Sequence, residues 1–189
     1  NKRERVVAAI RGERVDCVPS GFSIHFPEGC KEGQAAVNAH LRFFQETDTD
    51  IIKIMNENLV PYMGEIEKPE DFWKYRILGP EEAFITDQVR LTREILRGAD
   101  PEAFSLGTLR GITPSMIHPL MAAGMDYEKA RMFVRDSLRE NPQPVLEAAQ
   151  RVADGLCHLA RGYREAGVDG IYYAALGGEA DIFTDEEFE

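Results

Sequence analysis

Apolar residues recur along this chain with two periods. At period two, residues 50–61 (DIIKIMNENLVP) set Ile52 and Ile54 on one face and Lys53, Met55 and Glu57 on the other, which predicts a strand ending at a Pro61 loop. Residues 17–26 alternate Val18, Phe22, Ile24 and Phe26 with Gly21, Ser23 and His25, residues 103–109 alternate large and small, and residues 167–176 run from a glycine turn into a β-rich stretch. Helical spacing fills the rest. Val6, Val7 and Ile10 share a side of a helix over 2–11 stopped by Gly12; Val37, Leu41 and Phe44 do so over 35–46. Phe84, Val89, Ile95 and Leu96 pack a helix over about 81–97 that Gly98 closes. Residues 113–167 read as three helical pieces, broken at Gly124 and at the Asn141-Pro142-Gln143-Pro144 corner.

Strands alternating with helices predict an α/β fold of parallel strands joined by right-handed crossovers. Strand faces that carry Ser, His, Lys and Glu suit the inside of a closed TIM-type (β/α)8 barrel better than a doubly wound sheet, which is apolar on both faces. No glycine fingerprint for a dinucleotide follows the first strand. Four strands are half of such a barrel. Residues 1–189 are therefore expected to be the N-terminal half of one barrel domain, continued by the helix that the acidic residues 183–189 begin.

Composition narrows the function classes. Hydrophobic residues make up 43% and charged residues 29%, as in a globular protein, and neither a membrane span nor a signal peptide is apparent. The expected location is the cytoplasm. A net charge of −11 repels phosphate backbones, so nucleic acid is not an expected partner. Cys17, Cys30 and Cys157 are odd in number and far apart, which fits reduced thiols rather than disulfides or a metal knuckle.

The sequence RERVVAAIRGE at 3–13, followed by VDCVP at 15–19, is similar to the first helix and first strand of the uroporphyrinogen decarboxylase superfamily. KPED at 68–71 and EAGVDG at 165–170 sit where that family has comparable phrases. The resemblance covers the whole chain. It implies a (β/α)8 barrel with its site at the C-terminal strand ends, serving two chemistries. One branch decarboxylates uroporphyrinogen without a cofactor; the other moves methyl groups between a corrinoid and a thiol with a zinc ion held by the second half of the barrel.

Position by position, the decarboxylase's arginine-rich segment after the first strand corresponds here to IHFPEG at 24–29, with Lys31 nearby. Its essential aspartate falls on Glu57, and its substrate tyrosine falls near Leu120. The resemblance thus leans to a methyltransferase-type paralogue, with a genuine decarboxylase whose clamp is rebuilt around Arg110, or a non-catalytic binding barrel, as alternatives. It implies a small-molecule substrate, a corrinoid protein and a homodimer as partners.

The residues themselves nominate Glu57, His25 and Lys53 as the catalytic group, because they share an inward parity near strand ends. Glu57 would be a general base or N–H acceptor, Lys53 would tune it, and His25 would bind a metal or relay a proton, the bland alternative being a hydrogen bond to a neighbouring loop. A structural Lys53–Glu57 ion pair is the bland alternative. Asn56, Asn58, Tyr62, Arg110 and His118 are substrate-binding candidates on the rim, although His118 in an apolar run also fits a packed core histidine. Tyr172 reads as barrel filling.

Overall fold

The computed structural model describes residues 1–177 and 179–188, the last without its side chain. Three parallel strands, β1 (Ile51–Ile54), β2 (Phe104–Arg110) and β3 (Gly170–Ala174), stand in the order β1-β2-β3. Helices α1 (Lys2–Ile10), α2 (Gly33–Thr47), α3 (Ala83–Gly98), α4 (Ile112–Ala122), α5 (Tyr127–Glu140), α6 (Pro142–Ala166) and α7 (Asp185–Phe188) follow the expected order. Gly124, with φ +97°, lies between α4 and α5, and Asn141 caps α5 just before α6. Two 3-10 turns, Glu28–Cys30 and Pro69–Lys74, lie in stretches read as loops. The chain clusters into two compact units. The first comprises Asn1–Glu57, Thr86–Leu109 and Ala160–Tyr172, and the second the segments between and after them.

In the first unit, β1 pairs with β2 so that Ile52 lies beside Ser105 and Ile54 beside Gly107. This face meets α2 and α3, where Ala36, Val37, Phe44, Leu91 and Ile95 close a core around Ile52 and Ile54. The opposite parity carries Lys53 beside Leu106. Glycine at 107 lets α6 approach the sheet, since a Cβ there would lie 2.8 Å from Tyr163 Cγ. The buried Tyr163 then donates its hydroxyl to the Thr108 carbonyl at 2.7 Å.

The first expected strand, residues 17–26, does not form. It reduces to one parallel bridge, Gly21 to Ile51, with Ile51 N–H donating to the Ser20 carbonyl at 2.9 Å. Pro19 has no N–H to give, and at Gly21 the chains approach so closely that a Cβ would sit 2.9 Å from Ile51 Cβ. The alternation therefore buries Phe26 alone; Val18, Phe22 and Ile24 are exposed. Ile10, assigned to the packing side of α1, is also exposed, leaving Val6 as that helix's buried anchor.

Charge closes the N-terminal ends of the strands. Asn1 caps α1 by accepting the Glu4 N–H, and the helix then presents three cations. Lys2 pairs with Asp48 and Asp100, just before β1 and β2; Arg3 pairs with Asp169, just before β3. Arg5 reaches both Asp16 and the buried Asp50. Burial pushes the Asp50 carboxyl up, but the Ser20 N–H and the Arg5 guanidinium outweigh it and hold the group below its ordinary value.

The second unit is built on aromatics and α4. Pro114 through Leu120 of α4 are all buried, and Tyr75 donates its hydroxyl to the Met116 carbonyl at 2.5 Å. Phe72 stacks between Tyr75 and Phe133, at 5.4 and 6.0 Å. Arg151 lies over the Trp73 ring and donates to the Trp73 and Tyr75 carbonyls. Among the described residues no helix is long and apolar enough to cross a membrane.

The close approach at Gly107 yields a measurable expectation. Gly107→Ala should destabilise the protein by about 1–3 kcal/mol through overpacking against Tyr163. Chemical denaturation checks it, and an unchanged midpoint would mean that α6 does not rest on β2 as described.

Candidate functional site

β1 ends at Ile54, yet the chain leaves it in a fixed direction. Met55, one residue beyond the ladder, donates its N–H to His40 Nε2 at 3.0 Å and receives the Gln88 side-chain amide on its carbonyl at 3.2 Å. His40 and Gln88 are 1% and 0% exposed. A carbonyl can only accept, so the 2.7 Å contact of His40 Nδ1 with the Ala36 carbonyl puts the ring proton on Nδ1 and leaves Nε2 as the acceptor. Burial pushes His40 below its ordinary value, against the opposing pull of the Ala36 carbonyl.

Two residues further on, Glu57 is aimed at the segment after Gly21. Its carboxylate, 8% exposed, receives the Phe26 N–H at 3.2 Å and lies 3.1 Å from His25 Nδ1 through both oxygens. An ionised carboxylate only accepts, so Nδ1 is the donor in this contact, and in the neutral ring Nε2 then holds the lone pair. The His25 side chain is 67% exposed. The arrangement can orient a base and take up a proton.

Lys53 donates to the Ser23 hydroxyl and places its ammonium 4.0 Å from the centre of the Tyr172 ring. Tyr172, read as barrel filling, is a half-exposed platform under that charge. Asn56 is buried in the same unit.

The remaining nominees lie in the second unit. Asn58 is half-buried and Tyr62 exposed, while Arg110 ends β2 half-buried. His118 is buried in α4, where Nδ1 accepts the Val60 N–H at 3.2 Å. Burial, helped by the charge of Arg110, pushes its pKa down to about 3. A neutral ring serving a backbone N–H is a structural acceptor.

Sequence reading passed over His40, Gln88 and Phe26. The signal for the first two was present. Ala36, Val37, His40 and Phe44 form one buried helical stripe, and Ile85, Gln88, Thr92 and Ile95 another, so a polar residue interrupts each apolar face. Among the described residues no group of three or more His, Cys, Asp or Glu side chains is placed to hold a metal ion.

Because His118 and His40 are held neutral, the unfolded chain takes up protons that the folded one refuses once pH falls below about 6.5. Stability should fall as pH drops from there, by up to ~1.4 kcal/mol per unit from His118 down to its pKa of about 3, with His40 adding to the fall in the same direction. His118→Asn, which keeps an acceptor without a titrating ring, should flatten that slope. Denaturant midpoints measured from pH 7 to pH 4 check this, and parallel slopes for both proteins would refute it.

Neither a protein-family model nor a curated protein matches the sequence. Among solved structures, a methyltransferase from Methanosarcina mazei is similar, with a TM-score of 0.68 and 16% identity over 99% of this chain. This chain spans 62% of the length of that protein. At that identity the likeness is one of fold.

Proposed function

We propose that residues 1–189 are the N-terminal half of a single (β/α)8-type barrel enzyme, related to the uroporphyrinogen decarboxylase superfamily and working as a methyltransferase-type member of it in the cytoplasm. The observation that carries the reading is the buried Glu57 carboxylate fixing the exposed His25 imidazole at the C-terminal end of β1. On barrels of this type chemistry is built at that end of the strands. In the proposed reaction the substrate is a methylated corrinoid delivered by a partner protein. A small thiol, once deprotonated, forms an S–CH3 bond as the Co–CH3 bond breaks, and the electron pair leaves with the corrinoid as its cob(I) form. His25 Nε2 takes the thiol proton, Glu57 stabilises the imidazolium that results, and Lys53 adds positive charge over Tyr172 for the thiolate. Asn56, buried in the same unit, is proposed to contact substrate. The functional enzyme is proposed to be a homodimer.

Charge supports this reading over uroporphyrinogen decarboxylation. Each charge-assisted bond to a carboxylate is worth about 1.5–3 kcal/mol, and a substrate with eight carboxylates needs several. The loop that carries arginines in the decarboxylases offers Lys31 here, and Lys31 already donates to Glu28 at 2.6 Å.

The test supplies the full-length protein with methylcobalamin and a panel of small thiols, following loss of the methyl group by absorbance. Demethylation is expected, with His25→Ala and Glu57→Gln slower by about 10²–10⁴-fold. Release of carbon dioxide from uroporphyrinogen, with no methyl transfer, would overturn the proposal and make Arg110 the first residue to replace.

A further inference from the structure

We propose that His40 is the positioning residue of the His25–Glu57 pair, setting the two side chains relative to each other through Phe26 and Met55. The inference rests on reading that pair as the working site. Two separate stretches of chain must meet to make the pair: residues 25–26, which follow a single β-bridge, and residues 55–57, which follow a strand of four residues. Neither stretch belongs to a ladder, so regular pairing holds neither in place.

His40 touches both. Its ring lies against the Phe26 ring, with centroids 4.3 Å apart, and its Nε2 accepts the Met55 N–H at 3.0 Å. Phe26 is next to His25 and gives its own N–H to Glu57; Met55 is two residues before Glu57. The imidazole is itself fixed, since Nδ1–H donates to the Ala36 carbonyl one turn back in α2 and the Phe44 ring stands edge-on at 5.9 Å. Displacing the ring therefore moves both halves of the pair at once.

A phenylalanine or leucine at position 40 would fill the same apolar stripe. It would leave the Met55 N–H unpaired in a buried place, which a packing role alone does not require. Gln88 completes the hold from α3 by donating to the Met55 carbonyl. The chain uses two polar side chains, each on a buried helix face, to fix one peptide beyond the end of β1.

The experiment uses isotope-labelled full-length protein and four variants. His40→Leu keeps bulk and removes the acceptor; His40→Gln restores an acceptor near Nε2; His40→Asn donates to Ala36 but is too short to reach Met55; Gln88→Met releases the Met55 carbonyl alone. Two NMR readouts are independent of activity: hydrogen exchange of the Met55 amide, and the nuclear Overhauser contact between the His25 ring and the Glu57 side chain. In folded His40→Leu and His40→Asn the Met55 amide should lose about tenfold or more of its protection and the His25–Glu57 contact should disappear, while His40→Gln recovers both. Should His40→Leu fail to fold, the His40→Asn and His40→Gln comparison and Gln88→Met carry the same test.

A full-strength His25–Glu57 contact in folded His40→Asn or His40→Leu would overturn the proposal, as would a His40→Gln variant no better than His40→Asn. If the contact is lost as expected but the parent protein transfers no methyl group, the positioning role stands and the reading of the reaction falls.

Discussion

A strand of four residues cannot aim the chain that leaves it. Beyond Ile54 the ladder to β2 stops, and the next peptide would be free to turn in many directions at a conformational cost of roughly 1–2 kcal/mol per residue fixed. What fixes it is the pair of hydrogen bonds from His40 and Gln88 to the two polar groups of Met55. Both side chains of this restraint, His40 as acceptor and Gln88 as donor, come from helices whose apolar faces already pack on Ile52 and Ile54. The core that makes β1 stable thus also delivers the side chains that steer its exit, and Glu57 points where it does because that core is intact.

The two ends of the strands in the first unit use polarity in opposite ways. At the N-terminal ends Lys2, Arg3 and Arg5 meet Asp48, Asp100, Asp169, Asp16 and Asp50, so the charges are spent on one another. Several of these pairs are solvent-exposed and each adds little to stability, yet together they fix α1 across all three strand starts. At the C-terminal end of β1 the arrangement is unsymmetrical: Glu57 is enclosed while its partner His25 stands open. An ion-pair lock wants both partners satisfied, and an exposed imidazole oriented by a buried carboxylate is better suited to exchange protons with something from outside.

Much of this was legible in the sequence, and the failures have physical causes. The helices over 35–46, 81–97 and 113–167 appeared with their breaks because period 3.6 and the glycine and proline stops report the same burial that forms them. Residues 51–54 have the expected parity, with Ile52 and Ile54 on the core face, but the strand expected to run on towards Pro61 stops at Ile54, so His25 and Glu57 meet through hydrogen bonds outside any ladder and not through strand parity. Residues 17–26 misled, because alternation reports a two-faced segment but not whether a neighbour exists to complete its ladder; Pro19 and the tight approach at Gly21 limit pairing to one bridge. His118 shows the converse case. Its apolar surroundings were visible, and the structure assigns it to a backbone N–H that no sequence pattern could name.

Fold and chemistry are set by different residues here, which is why the likeness to a solved methyltransferase extends over nearly the whole chain at 16% identity. Ile52, Ile54, Gly107 and Tyr163 decide how strands and helices stack, and many combinations of similar volume would stack the same way. The His25–Glu57 contact admits far fewer substitutes. It needs an acceptor of the right reach on one segment, a ring nitrogen on the other, and a support that holds both segments outside any ladder. A polar residue kept on a buried apolar stripe, as His40 and Gln88 are, costs stability unless its hydrogen bonds are made, so its presence marks the peptide it serves. That peptide leads directly to Glu57, so the same physics that explains the core also explains how the carboxylate beyond it is aimed at residues 25–26.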